Sequence, residues 1–439
     1  MKQKLLVISM DATVHEDVAY LETLPNFQKI LGKRAEVERV RSVFPAITYP
    51  AHSTLMTGCT PGKHGIYNNE PFKTFNDGYK HWYTESKWIR VEDLFAAAKR
   101  AGCTTASVYW PITANNPNVD YIINEYFFLQ PGDTDIEAGF KRMGANEQAL
   151  KAVRENVHRI HRTPRWPVLA PDSNYDDFLM GCVCSLIRNV QPDVMLVHNS
   201  FPDSCRHRYG AFAQEVKTIA LNAIDMWLGK VIEALEDAGV YEQTNFVLLS
   251  DHGQMDLKRR VKLNALLARG GFLDVALDGS LYSWRAFAQT NAMSASVYLI
   301  DPANKKLYDQ VYAYLQKIVD EKVWGFTKVY TAEEAKEKYG TYGPFSFMLA
   351  TDGATAVSEE WLEPPLAEVD LEDYTLARAT HGYEPELGPQ PIFLAHGPAF
   401  KEGAVLPTAN LIDIAPTLAK VLGQEMPQAD GRCLTELLK

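Results

Sequence analysis

The stretch NFVLLSDHG, residues 245–253, runs an unbroken apolar segment into two potential metal ligands and a glycine. A continuous aliphatic run of this length suits a strand covered on both faces, as in a parallel sheet sandwiched between helices. The same grammar recurs in KLLVISMD (4–11), TTASVYWP (104–111), DVMLVHNS (193–200) and PIFLAHG (391–397). Helical patterns lie between these runs: VEDLFAAAKRAG (91–102), closing on a glycine, FAQEVKTIALNAIDMWLGKVIEALEDAG (212–239) and NLIDIAPTLAKVLG (410–423). The alternation predicts an α/β fold with a doubly wound, mostly parallel central sheet flanked by helices. Ligands of such sheets gather at the carboxyl ends of strands. Asp11 and Asp251 each follow a strand directly and Asp203 lies just beyond a third, so residues far apart in sequence can converge there.

Residues 266–372 have a different character. They hold SASVYLID (294–301), a helix-like KKLYDQVYAYLQKIVDEK (305–322) and a Gly/Pro/aromatic section, KYGTYGPFSFMLATDG (338–353). They read as an inserted α+β cap, leaving 1–265 and 373–439 as the catalytic core. Tyr339, Tyr342, Phe345 and Phe347 of the cap either stack on a substrate ring or form plain core. A second irregular stretch, about 112–172, reads as another excursion from the sheet.

The chain has 439 residues, 46% hydrophobic and 23% charged, ordinary values for a soluble globular protein. With 44 basic against 55 acidic residues the net charge is -11, which argues against a non-specific hold on nucleic acid or anionic lipid. The start, MKQKLLVISMDA, reads as a first strand and not a signal peptide, and no run of about 18 apolar residues suggests a membrane span. The six cysteines lack the spacing of a disulfide framework or a zinc ribbon, which suggests a reducing cytoplasm.

Two motifs carry most of the chemical signal. Asp203-Ser-Cys-Arg-His207 sets a carboxylate and an imidazole on one face of a helical turn, and Asp251-His252-Gly253 follows a strand, with the glycine allowing a tight turn. With Asp11 and His381 (in ATHGY) the inventory is three carboxylates and three imidazoles, divisible as Asp203, His207, His381 and Asp11, Asp251, His252. Mixed N/O ligation suits two divalent ions, zinc first, with manganese or iron as alternatives. Two ions about 4 Å apart clamp the attacking and leaving oxygens of a displacement at phosphorus. Taken singly, each residue is weak: a histidine is more often core or surface, and an Asp after a strand is commonly a helix N-cap. Their joint, ordered occurrence carries the reading.

That ordered set is Asp11, FPAITYPAHSTLMTG (44–58) with HGIYNN (64–69), PDSCRHRYG, SDHGQ, and THGYEPELGPQPIFLAHGPAF with IDIAPTLAKVLG. It resembles the alkaline phosphatase superfamily, closest to the type I phosphodiesterase/nucleotide pyrophosphatase family. The resemblance implies an alkaline phosphatase-like core and a hydrolase of phosphodiester or pyrophosphate bonds, working through a phospho-threonine on Thr48. It implies that Asp11, Asp251 and His252 hold the metal beside Thr48, which itself joins the metal, and that Asp203, His207 and His381 hold the other. It also implies that Asn69 binds a non-bridging phosphate oxygen, with Asn68 as fallback. Ala51 and Arg206 depart from the family's usual Asn and Gly. Arg206 is expected either to contact substrate or to point to solvent. Cys59 begins a sulfatase-like Cys-x-Pro-x-Lys, but it lies past the nucleophile position and lacks the required Arg, so it reads as structural.

Thr48 before Pro50 stands at a helix start, where backbone N–H groups favour an incoming phosphate. Ser53, Thr54 and His52 read as packing residues on that helix. The expected partner is a small phosphate- or phosphonate-containing substrate. The same nucleophile and metals would also serve a phosphonate hydrolase of the phosphonoacetate type or a phosphomonoesterase, with Arg206 or Lys63 as candidate cations. A phosphotransferase and a non-catalytic metal-stabilised binding protein are further alternatives.

Overall fold

The computed structural model describes residues 3–73, 82–125, 135–162, 173–371 and 377–439. Parts of the second excursion (126–134 and 163–172) and the expected cap boundary at 372/373 lie outside the described residues.

An eight-stranded sheet forms the centre. Its strands are β1 (Lys4–Met10), β2 (Ala35–Arg41), β3 (Thr105–Val108), β4 (Tyr121–Ile123), β5 (Val194–Asn199), β6 (Thr244–Leu249), Phe393–His396 and Val405–Asn410. Across the sheet the order is Val405–Asn410, β2, Phe393–His396, β6, β1, β5, β3, β4. Pairing is parallel among β6, β1, β5, β3 and β4, and between β2 and Val405–Asn410. Phe393–His396, from the PIFLAHG run, runs antiparallel to both its neighbours. The chain enters it from the His381 loop at the carboxyl end of the sheet, so the strand has to return the other way.

The period of two along β1 divides the core. Leu6, Ile8 and Met10 pack on one face with Trp227, Leu228 and Phe178, while Leu5 and Val7 pack on the other with Leu55, Phe95 and Leu418. Each such fully buried side chain contributes roughly 1.5–3 kcal/mol relative to exposure. β2 and Val405–Asn410 were not legible as strands, because both carry charged or polar residues on a half-exposed face.

Residues 286–351 form a separate four-stranded antiparallel sheet: Ala286–Thr290, Ser294–Leu299, Phe347–Thr351 and Phe326–Thr331, in that order. The helix Lys305–Asp320, capped by Asn304 accepting from the Leu307 N–H, packs Val311 and Leu315 into this sheet's own apolar cluster. Phe347–Thr351 lies inside the Gly/Pro/aromatic section 338–353, where flanking Gly and Pro mask a five-residue strand. Arg259–Lys262, before the expected cap boundary, pairs with Thr355–Ser358 and Leu366–Ala367. No helix among the described residues is long and apolar enough to cross a membrane.

Candidate active site and metal centre

The parallel pairing of β1 with β6 puts Ser9 opposite Leu249, so Asp11 and Asp251 leave neighbouring strand ends side by side. The Asp11 N–H continues the ladder to the Asn199 carbonyl at 2.9 Å, and the Ala12 N–H donates to Asp251 Oδ1 at 3.3 Å. His252 Nε2 then stands 3.2 Å from Asp251 Oδ2 and 3.5 Å from Asp11 Oδ1. Gly253 serves close packing more than turning, since a Cβ there would meet the Pro389 carbonyl oxygen at 2.5 Å.

Asp203 and His207 share a face of the helix Phe201–Tyr209, with His207 Nε2 3.2 Å from Asp203 Oδ2. His207 Nδ1 donates to the Ala379 carbonyl at 2.7 Å, which fixes the ring with Nε2 facing Asp203. His381 follows the short strand Ala379–Thr380, which pairs with Met255–Asp256 just beyond Asp251-His252-Gly253. His381 Nε2 accordingly reaches 3.7 Å from Asp203 Oδ1, and its ring stacks on His252 at 4.0 Å. Gly382 has φ of 88°, and a Cβ there would sit 1.8 Å from the Asn291 carbonyl oxygen. Only glycine permits that approach.

Two groups have ligand atoms mutually within 4.8 Å: Asp11, Asp251, His252 and Asp203, His252, His381. His252 therefore stands between the groups rather than within one, and His207 flanks the second through Asp203. Burial, then the Asp251 and Asp203 charges, push the Asp11 carboxyl well above its ordinary range. Burial pulls His252 down to about 4 and His381 well below its ordinary value. Burial opposes ionisation of Asp203, but the neighbouring His207 prevails and holds its carboxyl low. The donors fit divalent cations: imidazoles favoured neutral, clustered carboxylates whose repulsion a cation relieves, and buried Asp11 Oδ1 and Asp251 Oδ2 that accept no hydrogen bond.

Thr48 occupies the first turn of the fully buried helix Thr48–Thr57. Its Oγ1 lies 3.3 Å from His252 Nε2 and 3.5 Å from Asp11 Oδ2. The next N–H, of Tyr49, donates to Asn69 Oδ1 at 2.9 Å, which leaves the Asn69 amide nitrogen to donate elsewhere. Asn68 instead spends its amide on the Thr290 carbonyl and Asn291 Oδ1. Ala51 packs in the apolar cluster with Leu55 and Met56.

Arg206 does neither of the things expected of it. It is 1% exposed, pairs with the buried Asp17 carboxylate and donates to the Ala211 carbonyl. Asp17 also accepts the Val14 N–H at 2.9 Å, so this pair ties the helix after Asp11 to the helix of Asp203 and His207. Lys63 is likewise engaged away from the ligands, with Asp430 at 2.7 Å. Cys59 is buried beside the Gln428 carbonyl, and burial raises its thiol. Tyr339 packs on Phe44, Phe345 on Tyr67, and Phe347 in the core of the inserted sheet. His198 and Glu125 belong to no motif of the sequence. His198 Nε2 lies 3.0 Å from Asp11 Oδ2 and its Nδ1 3.6 Å from Glu125 Oε1, although DVMLVHNS reads only as a strand.

The family model of type I phosphodiesterase / nucleotide pyrophosphatase matches residues 5–384. The chain is similar to bis(5'-adenosyl)-triphosphatase ENPP4 of Pongo abelii, with 22% identity over 433 residues, covering 96% of this chain and 78% of the relative. It is also similar to ectonucleotide pyrophosphatase/phosphodiesterase family member 5 of Homo sapiens, at 24% identity over 427 residues, 96% of this chain and 74% of the relative. The solved structure of that human protein superposes with a TM-score of 0.69 at 21% identity, covering 100% of both chains. An inactive variant of the murine protein in complex with AMP gives 0.68 at 19% identity, again with 100% of both chains covered. The match over residues 5–384 establishes that the chain belongs to the type I phosphodiesterase/nucleotide pyrophosphatase family.

Proposed function

We propose that the chain is a metal-dependent hydrolase of phosphodiester or pyrophosphate bonds that uses Thr48 as nucleophile and passes through a phospho-threonine. The observation that carries this reading is the Thr48 hydroxyl, 3.3 Å from His252 Nε2 and 3.5 Å from Asp11 at a helix start. Asp11, Asp251 and His252 would hold one ion and Asp203, His207 and His381 the other, with His252 near both. Zinc is the proposed ion, because the donors mix imidazole with carboxylate. When bound, the two cations supply the charge that makes a threonine hydroxyl nucleophilic at neutral pH and that steadies the attacking and leaving oxygens.

The chain's own residues do the rest. Thr48 attacks phosphorus and takes the phosphoryl group with its remaining ester as the P–O bond to the leaving group breaks, and the proton lost by the hydroxyl ends on the leaving group or in solvent. Asn69 and the N–H groups of the helix start donate to the non-bridging oxygens, and water then releases the phosphoryl group from Thr48. The AMP complex of the murine relative supports a nucleotide-type substrate here. Six cysteines without a disulfide support a reducing compartment, the cytoplasm.

The test is turnover of bis-(p-nitrophenyl) phosphate, p-nitrophenyl phosphate, a nucleotide phosphodiester and phosphonoacetate by zinc-loaded protein. Diester cleavage is expected, lost in Thr48→Ala while zinc is retained. Turnover of phosphonoacetate alone, or undiminished activity of Thr48→Ala, would overturn the reading.

A further inference from the structure

We propose that His198 and Glu125 are positioning residues that set the orientation of Asp11 and couple it to the helix carrying Thr48. The proposal rests on the reading of Asp11 as a metal ligand given above.

The two oxygens of Asp11 have different surroundings. Oδ1 accepts no hydrogen bond and lies 3.5 Å from His252 Nε2. Oδ2 lies 3.0 Å from His198 Nε2 and 3.5 Å from the Thr48 hydroxyl. A carboxylate that offers one oxygen to a cation needs its other oxygen held if the rotation about its side chain is to be fixed, and His198 holds it. The other nitrogen of the same ring is 3.6 Å from Glu125 Oε1, and Glu125 Oε2 accepts the Tyr49 hydroxyl at 2.5 Å. Tyr49 follows Thr48 in the chain, so the contacts close a ring: Thr48, Tyr49, Glu125, His198, Asp11 and back to Thr48.

Each member is at most 8% exposed, so water does not compete for these groups. His52, whose ring lies 4.4 Å from His198, is occupied by the Thr48 carbonyl and Ser9 Oγ and makes no claim on Asp11. A buried residue needed only for packing would tolerate an aromatic of similar size at 198. One needed for its N–H would not.

The experiment uses the full chain and zinc alone, with both affinities measured by competition against a chromophoric chelator. In His198→Phe the zinc bound by Asp11, Asp251 and His252 should weaken about 10–100-fold, the usual cost of losing a partner that orients a metal ligand, while the other ion is unaffected. His198→Gln keeps an N–H donor and should recover most of that loss. Glu125→Gln keeps volume and the acceptor for Tyr49, and should weaken the same ion by less. It decides the matter if His198→Phe does not fold. Unchanged affinities, equal weakening of both ions, or no recovery in His198→Gln would overturn the proposal. Failure of the wild-type chain to bind two zinc ions would instead overturn the reading of the site, and the positioning role with it.

Discussion

Asn68 and Asn69 are neighbours in HGIYNN, yet their side chains go to different parts of the molecule. Asn68 donates to Thr290 and Asn291 of the inserted sheet, and Asn69 accepts from the start of the Thr48 helix. Asn69→Ala should therefore lower kcat for the diester about 10²–10³-fold, the fall expected for loss of one oxyanion donor. Asn68→Ala should cost about 1–3 kcal/mol in urea denaturation, because it leaves buried partners unpaired. Arg206 extends the same logic to charge. Arg206→Ala strands Asp17 as a buried charge and should destabilise the chain by about 3–5 kcal/mol, measured by the same denaturation. A smaller loss than about 1 kcal/mol would show that water reaches Asp17. None of these distinctions can be read from the residue names, since a buried and an exposed Arg look alike in a sequence.

The helix Thr48–Thr57 is buried along its whole length, and the turn after it is organised by His64. The Ile66 N–H donates to His64 Nδ1 at 3.1 Å, so the imidazole is neutral, with its other nitrogen 3.0 Å from Thr54 Oγ1. Burial pulls His64 down to about 3, below its unfolded value of about 6.5. A depressed imidazole contributes stability that is fully present above the unfolded value and is lost as pH falls from about 6.5 toward 3. The slope should reach about 1.4 kcal/mol per pH unit for this one group. Denaturation midpoints of His64→Gln between pH 6 and 4 should accordingly fall less steeply than those of the wild type. An unchanged slope would show that His64 takes up its proton without unfolding. At this scale the sequence was informative where periodicity was strong, as in Leu94–Arg100, opened by Asp93 as N-cap. It failed for Phe347–Thr351, where neighbouring glycines and prolines hid the strand.

Across the whole molecule, the inserted sheet is fastened to the core at the loop that carries His381. The Met293 N–H donates to the His381 carbonyl at 2.9 Å, and Ser294 Oγ to the Gly382 carbonyl at 2.8 Å. Glu384, three residues on, receives the hydroxyls of Tyr330 and Tyr339 and the Lys338 amine at 3.2 Å. Glu384→Ala should cost about 1–3 kcal/mol and speed amide hydrogen exchange in the helix Ala332–Tyr339, with slower effects elsewhere. Zinc at 100 times its dissociation constant should stabilise the fold by about 2.7 kcal/mol per site, and chelation should reverse this in a thermal melt.

The sequence by itself determined the buried strand runs, the ordered set of candidate ligands and Thr48 at a helix start. Those are local facts, set by apolar periodicity and by which side chains carry donor atoms. Tertiary structure alone decided that His252 stands between both ligand groups, that Arg206 turns inward to Asp17, and that His198 and Glu125 reach Asp11. Each of these depends on the register of one strand against another, and register is fixed by packing between segments up to hundreds of residues apart.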